Sequence, residues 1–194
     1  SRVMRFAQHP NKPDTIFAAL EFGGAMASHD SGESWTDCGG PLVEMSKQPH
    51  LSSQIVSDTT AEGMLDGHAL TVSPADPDAV VLALRMGLFE SRDDGKSWRD
   101  KEVGRFSPTT YGRDVRTSPV EPGTLYAALS VAAASHDGGL YRSTDKGETW
   151  HRFDKVQVHG TIMSIGLHRE DPAQVYIGAR YNGEVFGTRD AGGT

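Results

Sequence analysis

One cysteine, no excess of positive charge and no long apolar run set the first limits on this chain. Cys38 stands alone, which rules out an internal disulfide framework and any thiolate-rich metal site. Basic residues number 19 against 26 acidic ones, a formal charge of -7, so nothing electrostatic points to nucleic acid as a partner. Apolar residues make up 37% of 194 positions, enough for a core but too polar a mixture for a membrane span. No stretch reads as a convincing amphipathic helix. A basic and apolar leader is also missing: the chain opens on SRVMRF, already alternating like a strand, and we read this N-terminus as incomplete. The single cysteine and the missing leader favour a cytoplasmic setting, with localisation otherwise open.

What is present is repetition. The stretch SHDSGESW at 28–35 returns as SRDDGKSW at 91–98, as STDKGETW at 143–150, and as TRDAGGT at 188–194. A proline turn precedes each copy (KPD, DPD, EPG, DPA), followed by a β-rich run: TIFAAL, AVVLAL, TLYAAL and QVYIGA. One strand before the proline, another leading into the box and a short one leaving it complete a unit of four antiparallel strands. Such units at this period predict an all-β fold, a β-propeller whose blades pack around a central channel. The expected blades are 1–38, 67–101, 112–154 and 160–194, within a single domain over 1–194. A sandwich would not place the same box at the same point of every unit.

The boxes resemble the Asp-box, or BNR repeat, of sialidases, xyloglucan-degrading propellers, sortilin-type receptors and photosystem assembly factors, and the resemblance covers essentially the whole chain. It implies a propeller of six or seven blades, about four of them present here, with the boxes on the outer rim away from the channel mouth where sialidases work. That superfamily mixes glycosidases with receptors and scaffolds, so fold alone does not choose an activity. The Arg-Ile-Pro motif of sialidases is absent and no Tyr/Glu nucleophile pair is assignable, which leaves a classical sialidase unsupported.

Each box residue has a reason connected with a tight turn. Asp30, Asp93, Asp145 and Asp190 accept backbone N–H groups, Gly32, Gly95, Gly147 and Gly192 suit positive φ, and Trp35, Trp98 and Trp150 cover the blade edge. Catalysis normally needs one site rather than several equivalent ones, so this repetition marks scaffold.

Function is then sought where the copies differ. Trp35 stands 42 residues before Pro77, whereas Trp98 and Trp150 stand 24 and 22 before Pro122 and Pro172. The first connection therefore carries about eighteen extra residues, an insertion within 38–67, and the third unit about six more within 130–139. Both excursions lie on the face opposite the boxes, where propellers commonly bind ligands. Glu21, Glu44, His50, His68, Arg85, Tyr111, Arg113, Asp114, His136, Asp137, His159, Arg180 and Tyr181 are expected there. His68, Arg113 and Thr161 follow matched glycines and are expected at equivalent places at the channel mouth.

Arg113, Arg85 and Arg180 suit an anionic or polar small ligand, helped by His159, Glu44 and His136, since a guanidinium binds carboxylate, sulfate or phosphate through its planar fork. His68, His50, Tyr111 and Asp114 are the acid–base candidates for a hydrolase- or lyase-type reaction. His50, His68 and His159 are alternatively candidates for a divalent metal, although no ligand spacing supports one and no cofactor is assigned. The other reading is a non-catalytic propeller that presents its face to protein partners.

Overall fold

The computed structural model describes residues 2–51, 61–155 and 157–193, so part of the 38–67 insertion and the chain ends lie outside the described residues. The alternating runs become strands, and short turns return each strand on its neighbour as an antiparallel meander. The first sheet orders β1 (Val3–His9), β2 (Lys12–Leu20), β3 (Gly24–Ser28) and β4 (Thr36–Asp37). The second holds β5 (Gly67–Ser73), β6 (Asp76–Leu84), β7 (Gly87–Ser91) and β8 (Arg99–Asp100). The third holds β9 (Tyr111–Thr117), β10 (Leu125–Ser130), β11 (Gly138–Ser143) and β12 (His151–Arg152). The fourth has three described strands, β13 (Ile162–Leu167), β14 (Val175–Ala179) and β15 (Val185–Thr188). The first strands β1, β5, β9 and β13 pack on one another in succession and line the axis about which the sheets fan. The architecture is all-β, as the repeat predicted.

Apolar faces meet between neighbouring sheets. Phe17, Leu70, Leu82 and Phe89 fill the first junction, Val81, Val115, Tyr141 and Trp150 the second, and Tyr126, Leu140, Ile162 and Val175 the third. The insertion differs from expectation in carrying two short helices, α1 (Gly40–Ser46) and α2 (Ala61–Met64). Pro41 opens α1, where its missing N–H costs nothing. Leu42, Leu51, Met64 and Leu65 are buried in the first junction. The described part of the insertion is thus anchored in the core, and too few helical turns exist for a periodic apolar stripe to announce it.

The repeated turn works through both flanking hydroxyls. Oδ1 of Asp30, Asp93 and Asp145 accepts the backbone N–H of Ser34, Ser97 and Thr149 at 2.8–2.9 Å, and Oδ2 accepts their hydroxyls at 2.5–2.6 Å. Two residues before the aspartate, Ser28, Ser91 and Ser143 donate to Oδ1 and accept the turn glycine's N–H. Thr188 does the same with Asp190 and Gly192. Gly95 and Gly147 sit at φ 86° and 81°, and each also presses on the previous blade, against Cys38 and Lys101. A Cβ there would be both strained and obstructed.

These bonds hold the turn carboxylates ionised: the Ser34 hydroxyl lowers the Asp30 pKa to about 2, the Thr149 hydroxyl lowers that of Asp145 to about 2, and Ser97 lowers that of Asp93. A depressed folded pKa contributes stability that is full above the unfolded carboxylate value and is lost as pH falls through the folded one. The melting temperature is therefore expected to drop between about pH 4 and pH 2. Asp145→Asn should flatten that slope in melts taken at stepped pH, and parallel slopes would show that the turns do not titrate.

Candidate functional site

Every first strand carries the same irregularity. Gly67 pairs with Leu84 and Ala69 with Ala83, so His68 is an extra residue in β5; Arg113 is extra in β9 by the same register. The corresponding residues are Met4 in β1 and Met163 in β13. A bulge of this kind bends the strand and re-aims one side chain. The match of His68 with Arg113 stands, but Met163 rather than Thr161 is their equivalent, because the bulge falls two residues further along the last blade. Thr161 is instead buried and bonds Ser135 and the Ala132 carbonyl, tying the 130–139 loop to the fourth blade.

His68 organises a polar cluster. The Gly112 carbonyl can only accept, so His68 Nδ1 donates to it, at 2.6 Å. That leaves Nε2 facing the Tyr111 hydroxyl at 2.8 Å and Asp66 Oδ2 at 3.3 Å. Asp66 also accepts from Arg85 Nη2 at 3.2 Å, and the His68 and Tyr111 rings lie 4.6 Å apart. Burial pushes the Asp66 carboxyl up, but its neighbours His68 and Arg85 outweigh it and hold Asp66 below the usual carboxylate range. Burial and the Asp66 charge raise the Tyr111 phenol, which therefore remains a hydrogen-bond donor. The Nε of Arg113 is sealed from solvent and has no hydrogen-bond partner among the described residues.

The His68 side chain is only 1% exposed, whereas those of Asp66 and Arg85 are 17% and 20% exposed. Asp66 was not among the residues singled out from sequence; its place directly ahead of Gly67 and the matched His68, in LDGHAL, is the signal that could have found it.

The remaining candidates are distributed elsewhere. Asp114 is 1% exposed, with both oxygens engaged by Arg5, Val115, Ile165 and Arg116. Glu44 pairs with Lys47 on the exposed side of α1, and His50 lies 3.1 Å from Asp100 of the outer strand β8. His159 bonds Glu184 at 3.0 Å, His136 stacks on Tyr181, Arg180 donates to the Ala133 carbonyl, and Asp137 faces Arg152. Glu21 pairs with Arg2. His50, His68 and His159 do not converge, and among the described residues no group of three or more His, Cys, Asp or Glu could hold a metal ion. The metal reading is therefore not carried forward. No helix among the described residues is long and apolar enough to cross a membrane.

The arrangement resembles a broad set of solved structures. An ancestral GH74 enzyme matches at a TM-score of 0.69 with 17% identity, over 98% of this chain and 23% of that one. The GH74 xyloglucanase from Xanthomonas campestris matches at 0.65 with 18% identity, over 98% and 29%. YCF48 bound to D1 peptide matches at 0.56 with 9% identity, over 98% and 56%. The fold is a β-propeller. In sequence, a Paenibacillus xyloglucanase is 26% identical over 181 residues, 86% of this chain and 15% of that protein. The chain thus spans a small part of the length of its relative. No family model matches the sequence.

Proposed function

We propose that this chain belongs to an Asp-box (BNR) propeller of hydrolase type that binds a small polar or anionic molecule, such as part of a glycan, at the face opposite the repeated turns. Asp66, Arg85 and Arg113 are the contact groups, and the buried His68 and Tyr111 position them. The observation that carries this reading is Arg113: a bulge re-aims its side chain, and its buried Nε has no hydrogen-bond partner among the described residues. The xyloglucanase relatives support the hydrolase class. Glycoside cleavage uses a pair of carboxyl groups, one held protonated. Asp66, held below the usual carboxylate range, suits the base or an orienting acceptor, and it is the one carboxyl among these named groups.

The peptide-bound YCF48 structure supports a second reading, a propeller whose face binds a protein partner. Titration of oligosaccharides, neutral and uronate-bearing, against the parent and Arg113→Gln separates the two. Loss of a hydrogen bond to a charged group costs about 1.5–3 kcal/mol, so binding is expected to weaken roughly 10- to 100-fold at an unchanged melting temperature. Equal binding by both proteins would remove Arg113 from the site, and failure of every saccharide would favour the protein-partner reading.

A further inference from the structure

Below the mouth, the channel wall carries an imbalance of charge. Arg5, Ala69, Asp114 and Ser164 occupy one register level, each paired with the matching position of its second strand: Ala19, Ala83, Ala128 and Gly178. Arg5 Nη1 reaches Asp114 Oδ1 at 2.8 Å from two blades away, and Ala69 between them is small enough to allow it. Asp114 Oδ1 also accepts Val115 N–H at 2.9 Å, while Oδ2 accepts Ile165 N–H at 2.8 Å and Arg116 Nε at 3.4 Å. Two oxygens with four donors leave this carboxylate saturated.

The guanidiniums are not. Each has five N–H donors, and the hydrogen bonds of Arg5 and Arg116 to Asp114 engage one apiece. Their side chains are 24% and 35% exposed, so solvent or a ligand reaches the remaining donors. Burial lowers the pKa of Arg5, and the neighbouring charges of Arg116 and Arg113 act in the same direction against the pull of Asp114. Two forks thus share one filled carboxylate, with a third positive charge close by. A second anion would relieve the repulsion and use the idle donors, as planar forks do with oxyanions.

We propose that a single oxyanion, carboxylate, sulfate or phosphate in geometry, seats in the channel against Arg5 and Arg116. It is distinct from the ligand at the mouth and does not depend on that reading. Its source is either a free ion or an acidic group on a larger molecule.

The test is a titration of the parent chain with sodium sulfate, inorganic phosphate and acetate, each against sodium chloride at matched ionic strength. Melting temperature and amide shifts of residues 114–116 are followed together. Sulfate stabilises proteins by surface exclusion, which does not saturate, so only a saturable component counts. Such a component is expected for the parent and for Arg169→Gln, which removes an exposed charge elsewhere. Arg116→Gln, chosen because Arg116 makes the longer contact with Asp114, is expected to raise the half-saturating concentration at least tenfold while its starting melting temperature holds. Saturation by sulfate or phosphate assigns a tetrahedral oxyanion, and saturation by acetate alone assigns a carboxylate. A linear response to every salt, or equal saturation in Arg116→Gln, would overturn the proposal.

Discussion

Asp114→Asn is expected to lower the melting temperature by roughly 10 °C, whatever happens to ligand binding. The carboxylate joins three blades: it accepts from Arg5 of the first, lies on β9 of the third, and accepts the Ile165 N–H of the fourth. Asparagine keeps the shape but replaces an acceptor oxygen with a donor and leaves the partly buried Arg5 without its counter-charge. Removing one partner of a buried pair costs about 3–5 kcal/mol, and each kcal/mol corresponds to about 2–4 °C in a chain of this length. Arg5→Met should cost less than Asp114→Asn, because the aspartate retains Arg116 and two backbone donors. Thermal melts of the two single variants and the double variant separate the pair energy from the rest. A catalytic Asp114 would behave in the opposite way, with activity lost and melting unchanged.

How much of this was legible in advance divides along a physical line. The turn aspartates, their glycines and the alternating runs act through neighbours a few residues away, so their pattern survives in one dimension and the all-β repeat could be read directly. Asp114 acts through Arg5, 109 residues earlier, and nothing local distinguishes it from a free carboxylate. The same holds for His68: its partners Gly112 and Tyr111 come from the next blade, and nothing in its own neighbourhood along the chain announces that they bury it. Glycine spacing misplaced the match in the fourth blade because the bulge directly follows the glycine in the second and third blades but falls three residues after Gly160 in the fourth. Loop excess marks 38–67 as longer than the other connections, but length carries no information about which side chains turn inward. Leu42 and Leu51 anchor it, while Glu44 pairs with Lys47 and His50 with Asp100.

The second large effect is expected at Lys101, where the repeat itself supplies the control. The Lys101 ammonium is 1% exposed and lies 2.8 Å from Glu90, itself 7% exposed, with Glu148 of the next blade at 3.5 Å. Lys101→Met removes the charge that answers a buried carboxylate and is expected to cost about 3–5 kcal/mol. Arg92 still faces Glu90 at 2.5 Å, but it is 44% exposed and shared with Asp76, so it offsets only part of the loss. Ala27 and Cys38 occupy the corresponding positions of the first blade, and Arg142 and Phe153 those of the third. The joint therefore tolerates an apolar side chain where Lys101 stands, provided no carboxylate faces it. Glu90→Leu combined with Lys101→Met keeps the volume and removes both charges, and it should melt near the parent, since apolar replacement of a buried pair is often neutral or stabilising. Denaturant unfolding of the three variants reads the difference directly. If the double variant were as unstable as Lys101→Met alone, the cost would lie in packing against Gly147 rather than in the stranded charge.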